Sequence, residues 1–429
     1  MRLDFGVGMG YYNIMFRKLV LSAFFFVFAV LSHGADWGPQ AADGSLFGSA
    51  ETGNSVFTEL PFHKVDETTR RLAAGRVEMG ELEFGEMLVK CSEDGAIQSL
   101  RLMIYNKGDD GDIDKDGFTA KRTAATEALD KLTGVKGRAV NVGAGDSGVK
   151  VKAIVWKTEN AVFRMEYSAA TKGGFKAEFI RLDIGADEDA IARGGARDAA
   201  SKSSLKGKVK KEEDGTVVIE GVPMVDQGMK GYCVPATLSR LFAYYGMDGI
   251  DQHALAALCN SQGDGGTSTA DMQDAMERIC KKFHIRITTL EDYHSVVTSI
   301  CDPYNKIAKK KDKPFISPAN DPLAVADPEI LKQARAPKPA VVDKWMKDIR
   351  KSIDAGIPVL WSVKVGIYKE QVSLPQSRGG HMRMIIGYNA KERTVVYTDS
   401  WGAGHERKTI DAAEALSMTT GRYILKPSK

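Results

Sequence analysis

The stretch "VPMVDQGMKGYCVPATLSRLFAYYG", Val222 to Gly246, lies just past the midpoint of this 429-residue chain and decides how its second half folds. Its later part carries apolar side chains at helical spacing and stops at a glycine, which predicts a helix that begins near Cys233 and ends at Gly246. Pro235 fits the start of that helix, where a missing N–H leaves no hydrogen bond unmade. The apolar positions are Leu238, Leu241, Phe242 and Tyr245.

The predicted start of this helix favours a reactive thiol at Cys233. Unpaired N–H groups and the helix dipole stabilise a negative thiolate there. Gly228 and Gly231 permit tight turns and close backbone approach to a substrate. Gln227, six residues before the cysteine, is placed to aim its amide N–H at an oxyanion beside the thiolate. The alternative is a structural Cys233, since cysteine is among the most often buried residue types.

A thiolate nucleophile needs a base, and the base needs a group that orients it. His381 opens the predicted strand "HMRMIIGY" after two glycines, 148 residues past Cys233. Papain-type enzymes have about 130 to 150 residues between these two groups. Asp399 follows 18 residues later in "TDSWG", at the end of the next predicted strand, where it can accept the imidazole N–H. His405 is an alternative base, but the preceding Gly-Ala-Gly loop indicates a surface position.

Together, "QGMKGYC", "GGHMRMIIGY" and "TDSWG" resemble the active-site segments of papain-fold cysteine peptidases. The longer stretch around Cys233 is more similar to the branch that removes double-glycine leaders from bacteriocins. The resemblance as a whole covers about residues 217–428. The resemblance implies a nucleophile at Cys233, a base at His381, an orienting group at Asp399 and an oxyanion donor at Gln227. It also implies that Trp401 packs over the base. Papain itself has asparagine at the orienting position, whereas the leader-peptidase branch usually has aspartate.

The predicted fold class is α+β, with a papain-like domain over residues 216–429 that combines a helical lobe and an antiparallel sheet lobe. The seven prolines and the lysine run in 303–340 predict an irregular insertion. The function expected is peptide-bond hydrolysis. The alternatives are a transglutaminase-type acyl transferase, which uses the same Cys, His, Asp order, and an inactive peptide-binding relative.

The first half of the chain predicts a separate small α+β domain. Alternating strands and one alanine-rich helix over residues 76–185 give the order β-β-α-β-β-β. Residues 35–75 are expected to be a loosely ordered lead-in, and 186–215 has the composition of a linker. The role of this domain stays open between targeting, substrate binding and an inhibitory pro-region.

The N-terminus indicates export. Arg17 and Lys18 precede an uncharged run, Leu19 to Leu31, followed by the small residues Ser32 and Gly34. This pattern predicts a signal peptide over residues 1–34, with Met15 as a possible true start. The alternative is an uncleaved anchor, although the run is short for a membrane span. A secreted or periplasmic bacterial-type protein is expected.

Composition argues against several other classes. The 59 basic and 56 acidic residues nearly balance, so there is no electrostatic case for nucleic acid. Five cysteines leave at least one thiol unpaired within the chain, and none lies in a CxxC pair that would indicate zinc. Cys259, Cys280 and Cys301 are candidates for a disulfide or for the core.

The acidic run from Asp110 to Asp116 could form a calcium site. However, Thr123 stands where a glutamate ligand is needed, so a solvated turn is favoured. No cofactor and no metal are predicted.

Overall fold

The structure is a computed structural model that describes residues 35–427, except 61, 74–76, 142–148, 172, 193–199, 248–249 and 264. The predicted signal peptide, 1–34, lies outside the described residues. Within the described ranges, no helix combines the length and apolar character that a membrane span requires. Helices and mainly antiparallel sheets form two domains, which confirms the predicted α+β class.

The N-terminal domain is built on an eight-stranded antiparallel sheet in the order β2-β3-β5-β6-β10-β9-β8-β7. Apolar side chains on one face of this sheet pack against the longest helix of the domain, α4, through Phe118, Ala125 and Leu129. The strands are β1 Ala35–Asp36, β2 His63–Lys64, β3 Thr69–Ala73, β4 Val77–Glu78, β5 Glu86–Cys91, β6 Ile97–Asn106, β7 Arg138–Val140, β8 Lys152–Lys157, β9 Val162–Ala170 and β10 Lys176–Gly185. The helices are α1 Gly38–Asp43, α2 Ala50–Glu59, α3 Lys107–Asp110 and α4 Lys115–Thr133.

The segment 35–75, expected to be loosely ordered, differs from that expectation. It holds α1, α2 and two strands of the sheet, and its side chains Trp37, Leu46 and Leu72 are buried in the domain core. These apolar residues are too widely spaced to produce a helical or alternating pattern. Their contribution to the core is therefore visible only once the sheet has formed.

The end of β6 and the acidic run that follows it each supply a helix cap. Asn106 accepts a hydrogen bond from the N–H of Asp109 at the start of α3, and Asp114 accepts one from the N–H of Gly117 at the start of α4. Acidic and amide side chains are favoured at these positions because they satisfy otherwise unpaired N–H groups. Helix α4 ends at Gly134, whose φ of 69° is left-handed.

The predicted linker, 186–215, is partly structured at its C-terminal end. A short helix, α5 Lys202–Lys206, buries Leu205 completely in the core of the C-terminal domain. Strand β11 Val209–Lys211 then pairs with β12 Thr216–Ile219 of the second sheet. The lysine-rich composition does not indicate this structure, because only one apolar residue, Leu205, attaches the segment to the core.

The C-terminal domain centres on β15, in which every residue from His381 to Asn389 is buried. The main sheet has the order β11-β12-β15-β14-β18-β13, and β16 pairs with both β15 and β17. The remaining strands are β13 Ile285–Glu291, β14 Val359–Val365, β15 Gly379–Asn389, β16 Thr394–Thr398, β17 Lys408–Asp411 and β18 Thr419–Pro427. The helices are α6 Cys233–Tyr244, α7 Gln252–Leu258, α8 Thr269–Lys282, α9 Tyr293–Lys310, α10 Pro322–Val325, α11 Pro328–Arg335, α12 Pro339–Ile353 and α13 Ala412–Met418.

The insertion 303–340, predicted to be irregular, is largely helical. Helix α9 runs through Pro303, and the prolines at 322, 328 and 339 lie in the first turns of α10, α11 and α12. Proline is tolerated in a first turn because its missing N–H would have no partner there. The prolines therefore mark helix starts, and the helices bury a small core of their own that includes Tyr304 and Leu331.

The two domains meet beside the start of α6. Arg181 of β10 is 1% exposed and pairs with Glu166 at 2.9 Å within its own domain and with Asp251 of the C-terminal domain at 2.5 Å. The carbonyl oxygen of Lys64 accepts the N–H of Ala403 at 3.3 Å. The N-terminal domain thus lies against the segments that carry the predicted site.

Candidate active site

Cys233 is the first residue of α6, as the sequence predicts. The helix packs on the central strand β15, where the Thr237 hydroxyl donates to the carbonyl oxygen of Met382 at 3.1 Å. N–H groups in a first helical turn have no partner within the helix, so the backbone around the Cys233 thiol is locally electropositive. Cys233 is a partly exposed residue, whereas the other four cysteines are buried, and all five are free thiols.

His381 lies at the entrance of β15 and contacts both Cys233 and Asp399. Its Nε2 atom is 2.9 Å from Oδ1 of Asp399. Its other nitrogen, Nδ1, is buried and has no hydrogen bond of ordinary geometry to any described residue, although the neighbouring Cys233 thiol helps to raise the pKa of the ring. The Trp401 ring stacks on the imidazole with a centroid separation of 4.0 Å and an interplanar angle of 8°, which shields one face of the ring from water.

The thiol and the imidazole shift each other's pKa in the directions that favour an ion pair. Burial opposes ionisation of Cys233, but its hydrogen bond to His381 and the charge of that ring lower the pKa of the thiol overall. Burial likewise opposes protonation of His381, but hydrogen bonds to Asp399 and Cys233 raise the pKa of the imidazole. A lowered thiol pKa and a raised imidazole pKa broaden the pH range in which thiolate and imidazolium coexist.

Asp399 is fully buried and is held as a carboxylate by cations. Burial would raise its pKa, but Arg383, His381 and Lys408 lower the pKa far below its usual range. The Arg383 Nε atom donates to Oδ1 at 2.9 Å, and the Lys408 ammonium donates to Oδ2. Because a buried carboxylate without such partners would become protonated, these two cations keep the acceptor for His381 charged.

Two further side chains complete this buried charge cluster. Glu370 accepts from Arg383 Nη2 at 3.0 Å and from the Tyr397 hydroxyl at 2.6 Å. Its other close cation is Lys408, at 3.5 Å. Two carboxylates therefore face two permanent cations, and the cluster is close to neutral before His381 is protonated. Such balance is what makes several buried charges tolerable.

Gln227 is fixed to the chain segment that follows Asp399. Its Oε1 accepts from the Ser400 hydroxyl at 2.7 Å, and its backbone N–H donates to the Ser400 carbonyl at 2.8 Å. The hydroxyl contact orients the amide so that Nε2 donates to the carbonyl oxygen of Lys230 at 3.0 Å. An amide nitrogen carries two hydrogens, so the second N–H remains available to the cleft.

A cleft of about 480 Å³ opens above Cys233. One wall is the loop from Gln227 to Gly231, on which Met229 is 84% exposed. The rest of the lining consists of Trp401, Pro375, Gln376, residues 378–380 and the glycines at 263, 265 and 266. A peptide laid in this cleft would meet the thiol, the Gln227 amide and exposed backbone together. No cluster of three or more potential metal ligands occurs in the part of the chain that the structure describes.

The four predicted site residues therefore converge, and His405 takes a different place from the one expected. It is 6% exposed, not on the surface, and its Nδ1 lies 3.2 Å from the Lys408 ammonium. Trp401 contacts both histidine rings, but only His381 contacts the thiol.

The sequence analysis missed the residues that surround His381 and Asp399. The position of Arg383 could have been inferred from the sequence. It lies two residues after His381 on the same strand, and alternate residues of a strand share a face. The sequence also held a signal for Arg240, because it is seven residues from Cys233 on the same helix; it donates to the Thr398 hydroxyl at 2.6 Å and to the Asp399 carbonyl. Lys408 and Glu370 had no such signal, because their segments reach the site only through tertiary packing.

Comparison with known proteins identifies the C-terminal half. A sequence model of the Peptidase_C39 like family matches residues 219–424, the range that contains all four site residues. The C-terminal half is thus similar to that family over the matched range. It is a cysteine peptidase domain with a papain-type fold, and its substrate is a peptide.

A solved structure similar to this chain is that of xylellain, a cysteine protease from Xylella fastidiosa. The sequence identity is 12%, the match covers 54% of this chain and 92% of that chain, and the TM-score is 0.28. No curated protein matches the chain.

Proposed function

We propose that Cys233, His381 and Asp399 form the catalytic triad of an exported peptidase, with Gln227 and the Cys233 N–H as its oxyanion hole. The observation that carries this proposal is the position of His381, which contacts the one partly exposed cysteine on one side and a buried, ionised carboxylate on the other. A thiol, a base and an orienting carboxylate in this order are the requirements of nucleophilic catalysis by cysteine.

The reaction follows from the positions of these groups. The Cys233 thiolate attacks the scissile carbonyl carbon, and the developing oxyanion accepts hydrogen bonds from the Gln227 amide and the Cys233 N–H. The His381 imidazolium gives its proton to the leaving amine, and a thioester remains on the cysteine. His381 then takes a proton from water, whose oxygen attacks the thioester and releases the acid and the Cys233 thiolate, which restores the thiolate–imidazolium pair. Asp399 keeps the imidazole oriented in both steps.

Export is proposed on the N-terminal sequence. Arg17, Lys18 and the uncharged run that follows have the form of a secretory signal, which places the enzyme in the periplasm or outside the cell. N-terminal analysis of the protein recovered from the medium or periplasm tests this, because processing near Gly34 is expected.

Selective alkylation tests the thiolate. Iodoacetamide at pH 6 is expected to label Cys233 alone, because burial raises the pKa of Cys91 and Cys301 and raises the pKa of Cys259 and Cys280 to about 12. Peptide mapping by mass spectrometry locates the label. In His381→Ala the labelling rate should fall at least about tenfold, since one pKa unit changes the thiolate fraction by that factor. Absence of preferential labelling in the wild type would contradict the proposal.

Product analysis separates hydrolysis from acyl transfer. With a peptide substrate and an added primary amine, hydrolysis yields the free carboxylic acid, whereas a transferase yields the amide of the added amine. Acid as the main product is expected, and amide as the main product would favour the transglutaminase-type alternative.

Replacing Gln227 by alanine is expected to slow turnover about 10- to 1000-fold, because an oxyanion donor is used in the transition state. Alkylation of Cys233 should continue at nearly the wild-type rate, since that reaction forms no oxyanion. Gln371→Ala is the matched control: it removes an exposed glutamine amide that bonds Thr409, outside the cleft. Wild-type turnover in Gln227→Ala would remove this residue from the mechanism.

A further inference from the structure

Five alternating charges cross the domain interface beside the oxyanion loop, Asp226–Gly231. Two belong to the loop, and three belong to the N-terminal domain. Arg71 Nη2 lies 3.2 Å from Oδ2 of Asp226, and Arg71 Nη1 lies 3.8 Å from Oε2 of Glu86. The Lys230 ammonium lies 3.7 Å from Oε2 of Glu86 and 2.7 Å from Oδ2 of Asp109. The loop is thus bound at both ends by side chains of the other domain.

The two loop charges are buried and depend on these partners. The side chain of Lys230 is 1% exposed and that of Asp226 is 4% exposed. A buried ammonium without a carboxylate is strongly disfavoured, so loss of its partners drives the Lys230 side chain toward water. That movement displaces the loop backbone to which the side chain is attached.

Both charged residues also contact the turn that holds Gln227. The Asp226 carboxylate accepts the N–H of Gly228 at 2.8 Å, and the Gly228 φ of 71° is a left-handed value that suits glycine. The carbonyl oxygen of Lys230 accepts Nε2 of Gln227. Lys230 therefore joins the two domains in one residue: its side chain binds the N-terminal domain and its carbonyl orients the candidate oxyanion donor.

The N-terminal domain also packs directly on the residue before the nucleophile. A Cβ atom added to Gly108 of α3 would lie 2.7 Å from the ring of Tyr232, so only glycine permits this approach. Asp109, the next residue, is the carboxylate that binds Lys230. The residues that line the cleft, by contrast, all lie between 227 and 401. The domain therefore contacts Tyr232 and Lys230 but contributes no residue to the lining of the cleft.

We propose that the N-terminal domain completes the oxyanion hole, with Lys230 as a positioning residue that Asp109 and Glu86 hold so that the Gln227 amide points into the cleft. The inference rests on the proposed function. It makes the N-terminal domain a working part of the active enzyme, which differs from an inhibitory pro-region.

The test uses the full chain with Asp109→Asn, Glu86→Gln and the double replacement. For the double variant, kcat on a peptide that the wild type cleaves should fall about 10- to 100-fold, a large share of the effect of losing an oxyanion donor. KM should change little, because the oxyanion exists only in the transition state. The alkylation rate of Cys233 should stay at the wild-type value. Asp109→Glu, which keeps the carboxylate, should recover most of the turnover.

A matched control and a double-mutant cycle separate positioning from general stability. Asp251→Asn removes a carboxylate from another interdomain ion pair, that with Arg181, while an asparagine can still cap α7. Asp251→Asn should leave kcat at the wild-type value, even if it lowers the melting temperature as much as the Asp109→Asn, Glu86→Gln double variant does. Combined with Gln227→Ala, the double variant should cost little more than Gln227→Ala alone.

Each outcome decides the inference. Unchanged kcat in the double variant, an effect fully additive with Gln227→Ala, or an equal loss in Asp251→Asn overturns it. If the double variant does not fold, the single Asp109→Asn decides, because that side chain is 38% exposed and its loss leaves Glu86 beside Lys230. A wild-type chain that cleaves no peptide overturns the proposed function and this inference with it, whereas an active wild type restricts any failure to the inference.

Discussion

Cys233→Ala is expected to abolish peptide hydrolysis, lowering kcat/KM by at least about 10⁴-fold, as loss of a nucleophile does in other covalent hydrolases. No other thiol can replace it. Cys91, Cys259, Cys280 and Cys301 are buried, and burial raises the pKa of each. The measurement is the rate of cleavage of a peptide library, with products identified by mass spectrometry. The variant should still bind substrate, because alanine removes the thiol and leaves the cleft in place.

Cys301→Ala is the control for the loss of a thiol as such. Cys301 lies in α9, where its thiol donates to the Val297 carbonyl in a core separate from the site. Its removal should cost some stability, of the order of 1 kcal/mol, and leave the rate of hydrolysis unchanged. Hydrolysis that survives in Cys233→Ala, or that depends equally on Cys301, would show that the chemistry does not start at Cys233.

Local signals in the sequence were enough to find the chemical groups. The helix that starts at Cys233 and the strands that start at His381 and end before Asp399 follow from apolar periodicity and from the glycines that bound them. Each of these side chains lies at the end of a regular element, so predicting the element also predicts the position of the group. The structure brings them together in the order that the sequence predicts.

Groups that act through burial could not be found in this way. Lys408 looks in the sequence like any exposed lysine, yet it is 1% exposed and bonds Asp399. Glu370 lies in a loop after β14, where nothing in its neighbours indicates that its carboxylate is enclosed. Lys230 has no distinguishing signal in the sequence either, because its partner Asp109 is more than a hundred residues away in the chain. Long-range ion pairs carry no periodic pattern, so they appear only in the folded chain.

The enclosed charges around Asp399 suit it to the orienting role that we propose for it. A fully buried carboxylate would tend to take up a proton, and a protonated acid is a weaker acceptor for an imidazolium. Arg383 and Lys408 prevent this by holding Asp399 ionised, and Glu370 compensates the charge of those two cations. The same arrangement makes the site sensitive to one change: neutral asparagine at 399 would leave two buried cations facing a single carboxylate.

Asp399→Asn is therefore expected to lower kcat/KM about 10²- to 10⁴-fold and to narrow the pH range of activity from its alkaline side. Asp399 raises the pKa of His381, so its charge favours imidazolium; without that charge, and with Arg383 and Lys408 repelling a third cation, imidazolium is lost at lower pH. The alkaline limb of the kcat/KM profile should move down by at least about one pH unit, the usual effect of removing a neighbouring opposite charge. A melting temperature measured alongside identifies any loss of fold.

Asp399→Glu is the control, because it keeps the charge but not the geometry. It should lower the rate while the alkaline limb of the kcat/KM profile stays near its wild-type position. An alkaline limb that stays in place in Asp399→Asn would show that the carboxylate orients the ring without setting its charge.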